Sequence, residues 1–190
     1  MKLILSSCDF RNQQSLQTIL DNLPKPIAEC RLLFVPNEKS SPEKVSSGKY
    51  HARMAELGFT SALVHVLDFT DPSPCFGLDI DVLYISGGNT FSTLDLIRKC
   101  GFDREIIRYI QSGVTYIGGS AGAHLICNDL THLTRYDPPF PYVTDLCGLG
   151  LVDMTLLCHF TPARQSHFDE LAAAGRRPIS LTDSDSLVIE

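Results

Sequence analysis

The chain has 190 residues, of which 44% are hydrophobic and 20% are charged, and its formal net charge is −6. These values fit one soluble domain with a sizeable core, and we expect residues 1–190 to form it. The acidic balance and the scattered lysines and arginines argue against a general nucleic-acid binder.

The first half of the chain alternates strand and helix signals. An aliphatic run predicts a strand at 2–5, apolar residues at helical spacing predict a helix at 11–23, and a second aliphatic run predicts a strand at 31–35. The next expected elements are a polar loop at 37–48, an amphipathic helix at 50–57, and strands at 62–67 and 82–85.

The second half continues the alternation. Helices are predicted near 91–100 and 103–112, followed by a strand at 114–117. The prolines between Arg135 and Pro141 fix φ and remove donors, which predicts a rigid loop. Segment 178–190 is typical of two strands around a polar turn. Aliphatic strands separated by helices indicate a parallel sheet covered on both faces, so we predict a doubly wound, mostly parallel α/β fold.

The most informative motif follows the strand at 114–117. It is Gly118-Gly119-Ser120-Ala121-Gly122, which has the G-x-S-x-G pattern of a nucleophile elbow. Small residues on both sides allow a tight, strained turn that presents the serine hydroxyl. Ser120 is therefore the predicted nucleophile.

A serine nucleophile needs a base, and the base needs an orienting group. His159 is the best placed histidine, because it ends an aliphatic run at another junction between strand and loop. Asp137, in the proline-rich loop between Ser120 and His159, is the preferred orienting carboxylate. Three further aspartates remain open as alternatives: Asp129, Asp145 and Asp153.

Oxyanion donors are expected from two places. The amide of Ala121 directly follows the nucleophile, as in other elbows. The segment Gly87-Gly88-Asn89-Thr90 follows the strand at 82–85, so Gly88 can supply a second amide. Asn89 and Thr90 can cap the following helix, and Asn89 is also a candidate for substrate binding. This segment lacks a Walker lysine and a G-x-G-x-x-G pattern, which makes phosphate binding the weaker interpretation.

Other features bear on compartment and metal binding. The seven cysteines form no C-x-x-C pair, and neither a signal-peptide core nor a membrane-spanning stretch is evident, so we expect a cytoplasmic protein. His124, Cys127 and His132 lack a fourth ligand at a recognised spacing, which makes a metal site a poor interpretation. Cys127 and Cys158 are not at an elbow and are expected to be buried thiols.

Three motifs in order resemble the peptidase E family, the α-aspartyl dipeptidases, whose core is similar to class I glutamine amidotransferases. They are the segment from Gly87 to Phe91, the elbow around Ser120, and the segment from His159 to Thr161. The resemblance covers nearly the whole chain. It implies that Ser120 is the nucleophile, His159 the base, and the amides of Gly88 and Ala121 the oxyanion hole. Asp137 falls where the family carries its acidic residue.

The chain also departs from this family. The family elbow often has tryptophan where this chain has Gly119, and the segment after His159 does not match the family's substrate-recognition residues. Three arginines are candidates to bind a substrate carboxylate: Arg164, Arg176 and Arg177. The family usually extends beyond position 190, so the resemblance implies a shortened or divergent member.

The sequence thus predicts a serine peptidase that hydrolyses short peptides through an acyl-enzyme and requires no metal or cofactor. The expected partner is a small peptide substrate, with no nucleic acid or membrane, and the expected state is a monomer or homodimer. Two alternatives remain: an esterase-type serine hydrolase, and a binding module on the same fold that lacks turnover. The spacing of 39 positions between Ser120 and His159 is shorter than α/β-hydrolase esterases usually have.

Overall fold

A computed structural model describes all 190 residues of the chain. Its centre is a six-stranded sheet. The strands are β1 (Leu3–Ser6), β2 (Leu32–Val35), β3 (Val64–Val66), β4 (Val82–Ile85), β5 (Thr115–Gly119) and β8 (Ser186–Ile189). Their order in the sheet is β3-β2-β4-β5-β1-β8. Strands β1 to β5 are parallel to one another, and β8 pairs antiparallel with β1.

Seven α-helices surround the strands. They are α1 (Gln13–Asn22), α2 (Pro42–Ser46), α3 (Lys49–Glu56), α4 (Thr90–Lys99), α5 (Asp103–Gln111), α6 (Ala121–Leu125) and α7 (Gln165–Ala173). None of them has the length and apolar character needed to cross a bilayer. Short 3-10 turns connect several elements, including one at Thr131–Arg135 that leads into the proline-rich loop.

Two hydrophobic cores lie on opposite faces of the sheet. Side chains alternate between faces along a strand, and in β1 Leu3 and Leu5 enter one core while Ile4 enters the other. The larger core includes buried residues of α4, α5 and α6, and the smaller one includes buried residues of α1 and α3. Helices therefore cover both faces, which confirms the doubly wound α/β prediction.

The last part of the chain forms a second, two-stranded sheet. Its strands β6 (Thr155–Leu157) and β7 (Pro178–Ser180) run parallel. The two strands predicted in 178–190 are present as β7 and β8, but they join different sheets rather than each other. As a result, the turn between them spans the gap between the two sheets.

The polar segment at 37–48 differs from its prediction as a loop. It contains the short helix α2, because Ser41 accepts a hydrogen bond from the amide of Lys44 and Pro42 occupies the first turn. The composition of the segment does not distinguish a helix from a loop, since serine, proline and lysine are common in loops as well as at helix starts. The other predicted elements lie within a few residues of their expected bounds.

Candidate active site

The predicted elbow is a sharp turn between β5 and α6. Ser120 has φ 48° and ψ −103°, a conformation that costs energy in any residue with a side chain. Its amide donates to the carbonyl of Ser6 at 2.8 Å, and its carbonyl accepts from the amide of His124 at 3.1 Å. The serine is thus fixed by the end of β1 on one side and by α6 on the other.

The glycines of the elbow are required by close contacts. A Cβ on Gly118 would lie 2.7 Å from the amide nitrogen of Ala123, and a Cβ on Gly122 would overlap the carbonyl of Ile85. Real Cβ atoms do not approach backbone atoms this closely. The G-x-S-x-G spacing therefore reflects the packing of α6 against β4 and β5.

His159 faces Ser120. Its Nε2 lies 2.8 Å from Ser120 Oγ, within hydrogen-bonding distance. The residue lies two positions after the end of β6 and has φ 53°, and its amide donates to Ser7 Oγ at 2.8 Å. The backbone of His159 is accordingly tied to the residue that follows β1.

The carboxylate next to this histidine belongs to Asp183. Its Oδ1 lies 2.6 Å from His159 Nδ1, and Ser7 Oγ donates to the same oxygen at 3.3 Å. The hydrogen bond from His159 lowers the pKa of Asp183, which keeps this carboxylate charged near neutral pH. Ser120, His159 and Asp183 therefore form a continuous chain of hydrogen-bonding groups.

Asp137 does not contact His159, in contrast to the expectation from the sequence. Its carboxylate accepts hydrogen bonds from the Asn89 side chain, at 2.5 Å, and from the amide of Thr90. These contacts hold the proline-rich loop over the N-terminus of α4, where the first amides attract a carboxylate. Burial raises the pKa of Asp137. The three alternatives, Asp129, Asp145 and Asp153, do not contact the histidine either.

Asn89 caps α4, and its hydrogen-bonding groups are not free for the expected contact with substrate. Its Oδ1 caps α4 by accepting from the amide of Ser92 at 2.8 Å, its Nδ2 donates to Asp137, and its own amide donates to Glu38 at 3.0 Å. All its donors are thus engaged within the protein. Asn89 positions the loop and offers no free donor to a substrate.

The Gly88 amide remains free. The Asn37 side chain donates to the carbonyl of Gly87 at 2.8 Å, which fixes the peptide unit that Gly87 shares with Gly88. In a trans peptide the N–H points away from the C=O, and the Gly88 N–H has no acceptor within the protein. Ala121, as the first residue of α6, likewise has an amide without an intrahelical acceptor.

A cavity of about 190 Å³ opens beside Ser120. The structure brings five of the candidate residues to its walls: Gly88, Ser120, Asp137, His159 and Arg164. The Arg164 guanidinium donates to the carbonyl of Cys158 at 2.5 Å and lies 4.0 Å from the ring centre of Tyr136.

The other two candidate arginines lie elsewhere. Arg176 forms an ion pair with Asp129, and Arg176 and Arg177 both line a separate pocket of about 420 Å³ that does not include Ser120. Among the three arginines, only Arg164 lines the cavity beside the nucleophile.

The thiols Cys127 and Cys158 are buried, and burial raises the pKa of both, to about 12 for Cys127. A thiol that stays protonated is a poor nucleophile. This supports the interpretation that neither cysteine takes the place of Ser120.

A doubly wound sheet with a strained serine at the end of β5, followed by a histidine and an aspartate in one hydrogen-bonded chain, defines an α/β protein with a Ser-His-Asp site. The sequence profile of Peptidase family S51 matches residues 2–187. The chain therefore belongs to this family.

Individual relatives agree with this assignment. An uncharacterized peptidase of Pasteurella multocida (strain Pm70) is 35% identical over 138 residues, which are 68% of this chain and 65% of that protein. Peptidase E of Citrobacter koseri is 33% identical over 117 residues, which are 62% of this chain and 49% of that protein. The matches thus span less than two thirds of these relatives. The predicted resemblance to peptidase E is confirmed.

Two crystal structures share the fold. A candidate peptidase E protein from Listeria monocytogenes EGD-e superposes with a TM-score of 0.75 at 23% identity, over 99% of this chain and 93% of that one. A peptidase from an acI-B1 Actinobacterium superposes with a TM-score of 0.58 at 20% identity, over 100% of this chain and 83% of that one. At these identities the similarity establishes the architecture alone.

Proposed function

We propose that this protein is a serine peptidase that hydrolyses short peptides. The observation that carries the proposal is the alignment of Ser120 Oγ, the His159 ring and Asp183, with separations of 2.8 Å and 2.6 Å. Family membership supports it, because the matched family is one of peptidases.

In the proposed reaction, Ser120 Oγ attacks the scissile carbonyl and His159 Nε2 accepts the hydroxyl proton. Asp183 holds the other ring nitrogen and stabilises the imidazolium that forms. The proton then passes to the leaving amine, and water hydrolyses the acyl-enzyme by the same route. The proton transfers use Ser120, His159 and Asp183, whose side chains are already in contact.

The charge that develops on the substrate oxygen requires donors close to the nucleophile. The amides of Gly88 and Ala121 are suited to this role, since both are near Ser120 and neither has a partner that substrate would need to displace. Asn37 supports the arrangement, because it holds the Gly87 carbonyl away from the pocket.

We further propose that the substrate carries an acidic side chain beside the scissile bond, as in Asp-X dipeptides. Arg164 supports this, because it brings a positive charge to the cavity without a carboxylate partner in the protein. Asp137 brings a carboxylate to the same cavity and is suited to a substrate amino group.

The order of the three groups bears on the esterase alternative. In α/β-hydrolases the acid lies between the serine and the histidine, whereas here Asp183 follows His159. This difference disfavours an α/β-hydrolase esterase.

The test is hydrolysis of a dipeptide panel that contains Asp-X, Glu-X and neutral amino-terminal residues, with Ser120→Ala as the matched variant. Cleavage of Asp-X that disappears in Ser120→Ala supports both parts of the proposal. Cleavage of neutral dipeptides alone supports the proposed peptidase activity and rejects the proposed preference for an acidic side chain. Absence of any cleavage, together with a Ser120 that a phosphonofluoridate does not label, rejects the peptidase in favour of a binding module.

A further inference from the structure

A thiol lies beside the histidine of the proposed site and has no part in the proposed reaction. Cys8 Sγ is 4.0 Å from His159 Nδ1, the ring nitrogen that faces away from Ser120. Asp183 Oδ1 contacts the same nitrogen at 2.6 Å. A sulfur, an imidazole nitrogen and a carboxylate oxygen thus lie within 4.8 Å of one another.

These are the ligand types that zinc prefers, with bond lengths of about 2.3 Å to sulfur and about 2.0–2.2 Å to nitrogen and oxygen. Tetrahedral geometry with such bonds places sulfur about 3.6 Å from nitrogen and nitrogen about 3.4 Å from oxygen. Cys8 would therefore approach the ring by a few tenths of an ångström, and Asp183 would move away from it by less than 1 Å. Because Asp183 is exposed at the surface, water can supply the fourth ligand.

The three side chains are held close together by strand ends. Cys8 follows β1, His159 follows β6, and Asp183 follows β7. Ser7 joins them, since its hydroxyl accepts from the amide of His159 and donates to Asp183. A metal ion would therefore meet ligands whose backbone positions are already fixed, which lowers the entropy lost on binding.

The geometry points to an inhibitory metal site: Zn²⁺ bound by Cys8, His159 Nδ1 and Asp183 stops turnover by removing the general base. A neutral imidazole has one protonated and one unprotonated nitrogen. Zinc on Nδ1 takes the lone pair of that nitrogen and leaves the ring proton on Nε2. The nitrogen that faces Ser120 then donates a hydrogen bond and cannot accept the hydroxyl proton.

The protons balance in this step. The ring keeps one proton, which moves from Nδ1 to Nε2 through solvent, and the Cys8 thiol releases one proton to solvent as it becomes a thiolate ligand. No electron transfer is involved. Removal of zinc by a chelator restores the thiol, the original tautomer and the hydrogen bond from His159 to Asp183.

Metal binding can be measured without activity, whereas the inhibition rests on the proposed function. Zn²⁺ is titrated calorimetrically into wild type, Cys8→Ser, Cys8→Ala and Cys147→Ser, with circular dichroism to verify folding. Cys147 is an exposed cysteine away from the cluster and serves as the matched control. We expect wild type and Cys147→Ser to bind one equivalent, and both Cys8 variants to bind at least tenfold more weakly.

Co²⁺ provides a second readout, since a thiolate ligand gives a charge-transfer band that a carboxylate or imidazole does not. We expect this band in wild type and in Ser120→Ala, and its loss in Cys8→Ser. Equal Zn²⁺ affinity in wild type and Cys8→Ser, or no charge-transfer band in folded wild type, overturns the site.

Inhibition is then measured in buffered free Zn²⁺, with each variant compared to its own rate without zinc. We expect inhibition that EDTA reverses in wild type and Cys147→Ser, and at least a tenfold higher inhibitory concentration in Cys8→Ser. Inhibition that is equal in Cys8→Ser overturns the mechanism. An enzyme that binds Zn²⁺ through Cys8 but cleaves no peptide refutes the proposed function and leaves the metal site standing.

Discussion

The carboxylate of Asp9 fills the space that a side chain on Gly119 would occupy. A Cβ at Gly119 would lie 2.8 Å from both Cβ and Cγ of Asp9. Asp9 cannot withdraw easily, because Tyr84 donates a hydrogen bond to it at 2.8 Å and its backbone is held at φ 46°. This contact accounts for glycine at the position where the family elbow often has tryptophan.

Gly119→Ala is therefore expected to destabilise the fold. Forcing a methyl group into a filled site costs about 1–3 kcal/mol of unfolding free energy, which urea denaturation can measure. Asp9→Gly removes the obstructing carboxylate and tolerates the positive φ. In the double variant the loss caused by Gly119→Ala should largely disappear, and strictly additive losses would show that Asp9 is not the obstacle.

Asp183→Asn is expected to lower kcat by about 10⁴-fold, as loss of the orienting carboxylate does in other Ser-His-Asp sites, because the histidine tautomer is no longer fixed. Asp137→Asn is the matched comparison, since this carboxylate lines the cavity without touching His159. It should raise KM for dipeptides with a free amino group and leave kcat within a few-fold. Steady-state kinetics that show the reverse pattern would return the orienting role to Asp137.

Arg164→Met should raise KM for Asp-X dipeptides by at least tenfold and change neutral dipeptides little, because it removes the positive charge from the cavity. Arg135→Met is the control, since Arg135 pairs with Glu170 at the surface at 2.7 Å. Equal losses for acidic and neutral substrates would mean that Arg164 supports the pocket wall rather than recognising charge.

His124 is expected to make the fold sensitive to acid. Burial lowers its pKa from 6.5 to about 3, so the unfolded chain binds a proton between these values and the folded chain does not. The stability is complete above pH 6.5 and falls as the pH drops below it, by about 2 kcal/mol between pH 7 and pH 5.

Urea denaturation at the two pH values measures this change. His124→Gln should reduce the difference between them, because the amide can replace the ring as an acceptor without binding a proton in the unfolded state. His65→Gln, at an exposed position, should leave the difference as in wild type. Identical pH dependence in all three proteins would contradict the assignment.

The fold could be predicted from the sequence, because alternating aliphatic strands and helices indicate a doubly wound sheet. Small residues around Ser120 predict the elbow, and the position of His159 after an aliphatic run makes it the candidate base. The structure places these two side chains 2.8 Å apart. These signals are short-range and can be read from one chain.

The contact of Asp183 with His159 was not predicted, because it depends on which strands become neighbours. It follows β7, whose parallel pairing with β6 brings the turn at 182–185 next to His159. A signal was present, since this polar turn follows a predicted strand and parallel strands present their carboxyl ends at one edge. The four aspartates proposed from the sequence all lie between Ser120 and His159, whereas Asp183 lies after His159.

The residues of the site lie far apart in the sequence, which determines when the site can form during synthesis. Ser7, Ser120, His159 and Asp183 are separated by up to 176 positions, and they meet only through pairing of β1 with β5 and of β6 with β7. A nascent chain on the ribosome therefore carries an elbow without the proposed base until residue 159 has emerged, and without the proposed acid until residue 183 has emerged. Peptidase activity of ribosome-stalled chains should therefore appear abruptly at the length at which residue 183 has emerged. Most of the sheet can form at shorter lengths.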